Sequence, residues 1–226
     1  MVTQAIGIDI LQGRYPPDGM LPTEDELMRR FRVSRTALRE ALKTLAAKGM
    51  ILPKTRVGTR VLPQSHWHMF DPDLIAWRLQ SGVDIGFMRH LFEIRFAIEP
   101  AACALACQRR SDADVAALSA ILDDMARANT DRERFVAVDL KFHKGILAAS
   151  GNPLMQSIGA VIEAALLAAL RRSAPTDDPK RHAQSVAKHR RIADAIAARD
   201  GAAASAAMSA VIREGAINGG LEEEPV

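Results

Sequence analysis

A chain of 226 residues has room for one large domain or two modest ones, and 48% hydrophobic against 25% charged residues is the balance of a chain that can bury a core. Aromatics are only 4% and alanine is abundant after residue 97, which favours helices over sheets. No apolar run follows a basic head in Met1–Leu21, so no secretory signal is expected. The longest apolar stretch, Ala164–Leu170, is too short for a membrane span, and a cytoplasmic protein without a membrane partner is the simplest expectation.

The formal charge of +3 is unevenly spread. Residues 1–62 hold 11 Lys and Arg against 6 Asp and Glu, a net +5, and the remainder carries −2. A basic excess confined to one end suits a nucleic-acid partner, although a solvated basic face has the same composition.

Residues 2–12 read as a first helix, stopped by Gly13 and the Pro16-Pro17-Asp18-Gly19 turn. Thr23 and Glu26 have capping-box spacing and open a short second helix to about Phe31. After Arg32-Val33, Ser34 caps a third helix to about Lys48, whose apolar face is Val33, Ala37, Leu38, Ala41, Leu42 and Leu45. Two short helices around a tight turn fit a helix-turn-helix. Arg35, Arg39 and Lys43, four apart, then share one face able to reach phosphates or guanine edges. Gly49 ends the helix. Met50–Pro53 and Thr59–Leu62 read as a hairpin around Lys54–Gly58, a wing whose Arg56 could meet a phosphate or the minor groove.

Residues 64–70 read as a short linker, and Asp71-Pro72 caps a helix ending near Gln80. Amphipathic segments follow at about 84–109, 112–128, 131–150, 153–173, 180–199 and 201–217, with junctions marked by Ser111, Thr130, Asn152 and Gly201. The expected fold is therefore mainly α: a winged helix-turn-helix of three helices and a small hairpin over 1–63, and an all-α bundle over 71–220. Cys103 and Cys107, four apart in an apolar pattern, read as buried small side chains.

Asp139 and His143 share a helix face, and His189 lies on another helix. An Asp and two His suit zinc or a similar divalent ion, while on spacing alone Asp139 and His143 would more often be a surface pair or a satisfied core histidine. Arg95 and Glu99, also four apart, form either a structural ion pair or a two-point carboxylate anchor.

Residues 21–61, from "LPTEDELMRRFRVSRTALREALKTLAAKGMI" to "GTRV", resemble the DNA-binding domain of the GntR family of bacterial regulators. The resemblance implies operator contacts from Ser34, Arg35, Thr36, Arg39, Arg56, Gly58 and Thr59. Asp25 departs from it, because members often carry an arginine there. "EIRFAIEPAACALA", "DLKFHKGILAASGNPLM" and "KHRRIADAI" resemble the signature stretches of the FCD-type helical domain of the FadR-like branch. That likeness implies a metal held by Asp139, His143 and His189 beside a carboxylate effector. Its fourth ligand, usually histidine, is here Val211. The site then either holds a metal with three protein ligands plus water or effector, or has lost it and uses direct hydrogen bonds.

"HWHMFDPDLIAW", with the absent histidine, is similar to a narrower group that represses sugar-acid operons. This implies a galactonate-like or 2-keto-3-deoxy sugar acid, with its carboxylate at Arg95 or the metal and its hydroxyls near Asn152 and Ser185. The expectation is a homodimeric repressor on a palindromic operator, released by the effector. Two alternatives are a metalloenzyme built on Asp139, His143 and His189, and a DNA-binding protein without a ligand.

Overall fold

A computed structural model describes residues 1–54, 57–82, 84–172 and 175–221. Its contacts divide the chain into two units, Met1–Val83 and Asp84–Val226.

The first unit holds α1 (Val2–Leu11), α2 (Glu24–Phe31), α3 (Arg35–Ala47), β1 (Ile51–Lys54), β2 (Gly58–Val61) and α4 (Pro72–Gln80). Local chemistry sets these limits. The Thr23 hydroxyl accepts the Glu26 amide at 3.3 Å, and the Glu26 carboxylate accepts the Thr23 amide at 2.8 Å, so the expected capping box opens α2. Arg32 closes α2 in the left-handed region, and Ser34 then caps α3 by accepting the Ala37 amide at 3.2 Å. At Gly49, φ is +74°, and a Cβ would stand 2.1 Å from the His66 carbonyl oxygen; only glycine fits this turn.

β1 and β2 pair antiparallel, with Ile51 opposite Val61 and Lys54 opposite Gly58. The segment before α2 braces this hairpin, because the Leu21 amide donates to the Thr59 carbonyl and the Asp18 amide to that of Val61. Ile6, Leu27, Leu38, Leu45, Met50, Ile51 and Val61 fill one core, and Leu74 and Trp77 of α4 belong to it.

The last point differs from the sequence expectation, which placed residues 71–80 with the helical bundle and 64–70 in a linker. α4 instead packs on α1, with Trp77 lying so close over Gly7 that a Cβ there would be 2.5 Å from the ring. The intervening residues are stitched down as well. The His68 amide donates to the Lys48 carbonyl, the Trp67 indole donates to the Leu62 carbonyl, and the Lys48 ammonium reaches Asp71 at 2.7 Å and Asp73 at 2.8 Å.

The second unit is all helical among its described residues: α5 (Ile85–Arg109), α6 (Asp112–Arg127), α7 (Arg132–Ala149), α8 (Pro153–Gln156), α9 (Gly159–Arg172), α10 (Pro179–Ala197) and α11 (Gly201–Asn218). α5 is packed by α7, α9, α10 and α11, and α6 lies against α7 and α10. Pro100 sits inside α5, and the Ser205 hydroxyl of α11 donates to its carbonyl at 2.7 Å. The stretch expected as one helix over 153–173 is two, because the chain turns at Ser157 and Ile158. There the Ser157 hydroxyl donates to the Leu154 carbonyl at 2.7 Å and Gly159 restarts the helix. Cys103 and Cys107 are buried free thiols, and burial pushes both above the ordinary thiol range.

Candidate functional site

Two surfaces carry the sequence-predicted site residues. On the first unit, α3 projects Arg35 and Arg39, each about 60% exposed, toward the N-terminus of α2. Arg35 pairs with Asp25 at 3.0 Å, Arg39 with Glu24 at 3.3 Å, and Lys43 with Glu40 at 2.7 Å. Exposed pairs of this kind are worth about 0–1 kcal/mol, so a phosphate can displace the carboxylates at little cost. Asp25, the departure in the sequence, therefore has a partner of its own. Ser34 is committed to its cap and Thr36 is exposed beside it. Gly58 opens β2 at φ +114°, and Thr59 faces a groove between hairpin and α3 that Arg39, Lys54 and Val57 also line. Arg56 lies outside the described residues.

In the second unit α5, α7 and α10 bring Arg95, Glu99, Asp139, His143 and His189 together, all buried. The Arg95 Nε donates to Glu99 at 2.6 Å, and the other Glu99 oxygen takes the His143 Nδ1–H. Glu99 is thereby held to about pH 2: burial opposes its ionisation, but Arg95 and then His143 outweigh that penalty. With Nδ1 so occupied, His143 turns Nε2 toward Asp139 Oδ1, 3.9 Å away.

His189 is oriented in the same manner. Its Nδ1–H donates to the Ser185 carbonyl at 2.8 Å, which leaves Nε2 facing Asp139 Oδ1 at 2.9 Å. That approach lacks hydrogen-bond alignment, so Asp139 Oδ1 and His189 Nε2 are buried polar atoms without a hydrogen-bond partner. A carboxylate oxygen and an imidazole nitrogen this close, cut off from water, repel unless a proton on Nε2 or a metal cation lies between them. Burial alone would raise the Asp139 carboxyl; His189, with His143 and Arg95 behind it, reverses this and holds it low. Burial would lower His189, and Asp139 raises it instead. The three donor atoms lie within 4.8 Å of one another; a divalent ion bound at about 2.0–2.2 Å to each holds its donors no more than about 4.4 Å apart, so a small inward shift of the side chains would close the trio on one.

The trio lines a small cavity of about 60 Å³ that opens partly to solvent. Arg95, Ser185 and Val211 line it too, so the residue at the fourth-ligand position faces the site with an apolar side chain. Asn152 is a correction. It is not among the lining residues, because its side chain caps α8 by accepting the Leu154 amide at 3.0 Å. Arg181, Lys188, Glu214 and Asn218 line the cavity and were missed. Helical spacing could have found two of them: Lys188 lies one turn beyond Ser185, and Glu214 one turn beyond Val211.

A winged helix with a cationic α3, in one chain with a helical unit built around a charged cavity, defines a ligand-responsive DNA-binding protein. The chain belongs to the gntR family of bacterial regulatory proteins: residues 1–61 match that family's model, and residues 90–214 match the FCD domain. It is 38% identical over 206 residues to the uncharacterized HTH-type transcriptional regulator YieP of Escherichia coli K12, covering 90% of this chain and 87% of the relative. It is 32% identical over 207 residues to the galactonate operon transcriptional repressor of the same organism, covering 92% and 90%.

Among solved structures, Lar of Listeria monocytogenes has a TM-score of 0.68 at 22% identity, covering 99% of this chain and 96% of that one. E. coli McbR/YncC has 0.53 at 18%, covering 94% and 92%. These likenesses concern the fold. The protein is thus a DNA-binding transcriptional regulator with an effector-binding FCD domain, which sets aside the metalloenzyme alternative. Among the described residues, no helix is long and apolar enough to cross a membrane.

Proposed function

We propose that this regulator is a cytoplasmic repressor of a sugar-acid operon that binds its operator as a homodimer and releases it when a carboxylate effector enters the FCD cavity. Ser34, Arg35, Thr36, Arg39, Lys43, Gly58 and Thr59 form the operator-reading face. Arg95, Asp139, His143, Ser185 and His189 form the effector site. The observation that carries the sensing half is the cluster of Asp139, His143 and His189 donor atoms, buried beside Arg95 on the wall of a cavity that opens to solvent. The likeness to a galactonate operon repressor supports the effector class.

Asp139, His143 and His189 would hold a divalent ion, zinc being the best match to one carboxylate and two imidazoles. Such an ion would supply a Lewis-acidic anchor for a carboxylate oxygen. Val211 adds no donor, so the protein leaves coordination positions for water or ligand. Glu99 and the Ser185 carbonyl fix the two imidazoles, and Arg95 adds a fixed positive charge to the same wall. The effector acts by binding more tightly to the dimer geometry that mismatches the operator half-sites.

Operator binding titrated with sugar acids, alongside metal analysis of the purified protein, tests this. The expected result is a bound divalent ion and an operator affinity lowered about 5- to 150-fold by the matching acid. An affinity unmoved by any sugar acid or other carboxylate overturns the sensing role. A protein that neither contains nor takes up metal, yet still responds, overturns the ion alone.

A further inference from the structure

Lys188 of α10 and Glu214 of α11 form an ion pair at 2.6 Å, each roughly a third exposed. The pair stands in the wall between the FCD cavity and a second, more open depression lined by Ser209, Arg213 and Ile217. It therefore marks the solvent side of the cavity, while Arg95, Asp139, His143 and His189 form the buried side. Asn218, one turn beyond Glu214 on the same helix, lines both spaces as well.

Resting on the effector site proposed above, we infer that the Lys188–Glu214 pair reads the far end of the effector and restricts it to polyhydroxy monocarboxylates. The argument is one of donor and acceptor count. A carboxylate only accepts hydrogen bonds and an ammonium only donates them. Side by side they match a hydroxyl, which donates to Glu214 and accepts from Lys188 without the pair separating. A second carboxylate on the ligand has only acceptors. It can share the Lys188 ammonium with Glu214, but it offers Glu214 no donor and sets two like charges around one cation in a partly desolvated wall. An alkyl tail would leave both charges without a polar partner on the cavity side. The effector thus enters with its carboxylate directed inward and its hydroxyls against α10 and α11.

Galactonate and galactarate make a matched pair of probes, identical except that a terminal hydroxymethyl is replaced by a carboxylate. Gluconate and glucarate repeat the comparison at another stereochemistry. Calorimetry on the full-length protein is expected to show the aldonate binding at least about tenfold more tightly than its aldarate. Glu214→Gln removes the repulsion and is expected to shrink that ratio about tenfold, with galactarate gaining in absolute affinity. Lys188→Gln leaves Glu214 unneutralised and is expected to widen it.

Opposite movements of one ratio separate recognition from damage to the fold, which weakens both ligands alike. Arg181 also lines the cavity. If it takes a second carboxylate, wild type binds both acids equally and the inference is overturned. A ratio unmoved by Glu214→Gln overturns it too, while leaving effector sensing intact. Failure of the wild type to bind any sugar acid removes the proposed effector class, and this inference with it.

Discussion

Glu99 makes no predicted contact with ligand, yet it organises the cavity floor. One oxygen takes the Arg95 Nε–H and the other the His143 Nδ1–H, so a single buried carboxylate sets the direction of both side chains. Its ordinary value of 4.5 falls to about 2 in the fold. A carboxyl depressed on folding stabilises the native state above its unfolded value, and that contribution fades as pH falls through the folded one. Wild type and Glu99→Gln should therefore differ most in melting temperature near neutrality, with the gap closing as pH drops from about 4.5 toward about 2. A gap constant across that range rules out an ionised Glu99. Arg95→Ala is a poor probe of effector binding for the same reason, since stripping one partner from a buried pair costs about 3–5 kcal/mol. Arg95→Lys keeps the charge and loses the two-point fork, so it separates recognition from folding.

At the scale of elements, the acidic first turn of α2 and the basic face of α3 are coupled. Glu24 and Asp25 add charge that favours a helix N-terminus, and the same side chains hold Arg39 and Arg35 in the absence of DNA. Asp25→Asn should release Arg35 and tighten binding to operator and random duplex alike, by several-fold at low salt. Arg39→Ala should weaken operator binding and change stability by no more than about 0.5 kcal/mol, because its pair is exposed. Gel-shift titrations at two salt concentrations check both; an Asp25→Asn gain confined to the operator contradicts a purely electrostatic role.

These helices were legible in the sequence because their limits are set by nearby residues: Thr23 with Glu26, Ser34 with Ala37, and Gly49 with its own positive φ. The break at Ser157 was not legible, since a serine within an amphipathic pattern does not reveal which carbonyl its hydroxyl will take. The grouping of Asp139, His143 and His189 was expected from resemblance, and its geometry emerges only in three dimensions. Nothing in the spacing of Asp139, His143 and His189 says that Glu99 and the Ser185 carbonyl aim the two rings. Asn152 misled because a residue just before a helix-opening proline serves the cap first.

For the whole molecule, the consequential question is where the DNA-reading unit ends. A proline-capped helix after a short polar stretch has the sequence signature of a new domain, and Asp71-Pro72 carries it. Burial decides otherwise. Leu74 and Trp77 are 0% and 7% exposed within the core of the first unit, and Lys48, at the end of α3, finds its carboxylates in Asp71 and Asp73. Burial alone would lower the Lys48 ammonium, but the two aspartates raise it, so it stays charged over the whole neutral range. A fragment ending at residue 63 exposes two large apolar surfaces and leaves that ammonium unpaired. At about 1.5–3 kcal/mol for each side chain, the loss is comparable to the lower end of a small domain's whole stability, about 5–15 kcal/mol. Residues 1–83 should therefore melt cooperatively and bind duplex DNA with the full basic face of α3, whereas residues 1–63 should show no cooperative transition. Lys48→Met within the longer fragment should fall between them. If the short fragment melts as high as the long one, α4 is a bystander and the reading unit ends where the hairpin does.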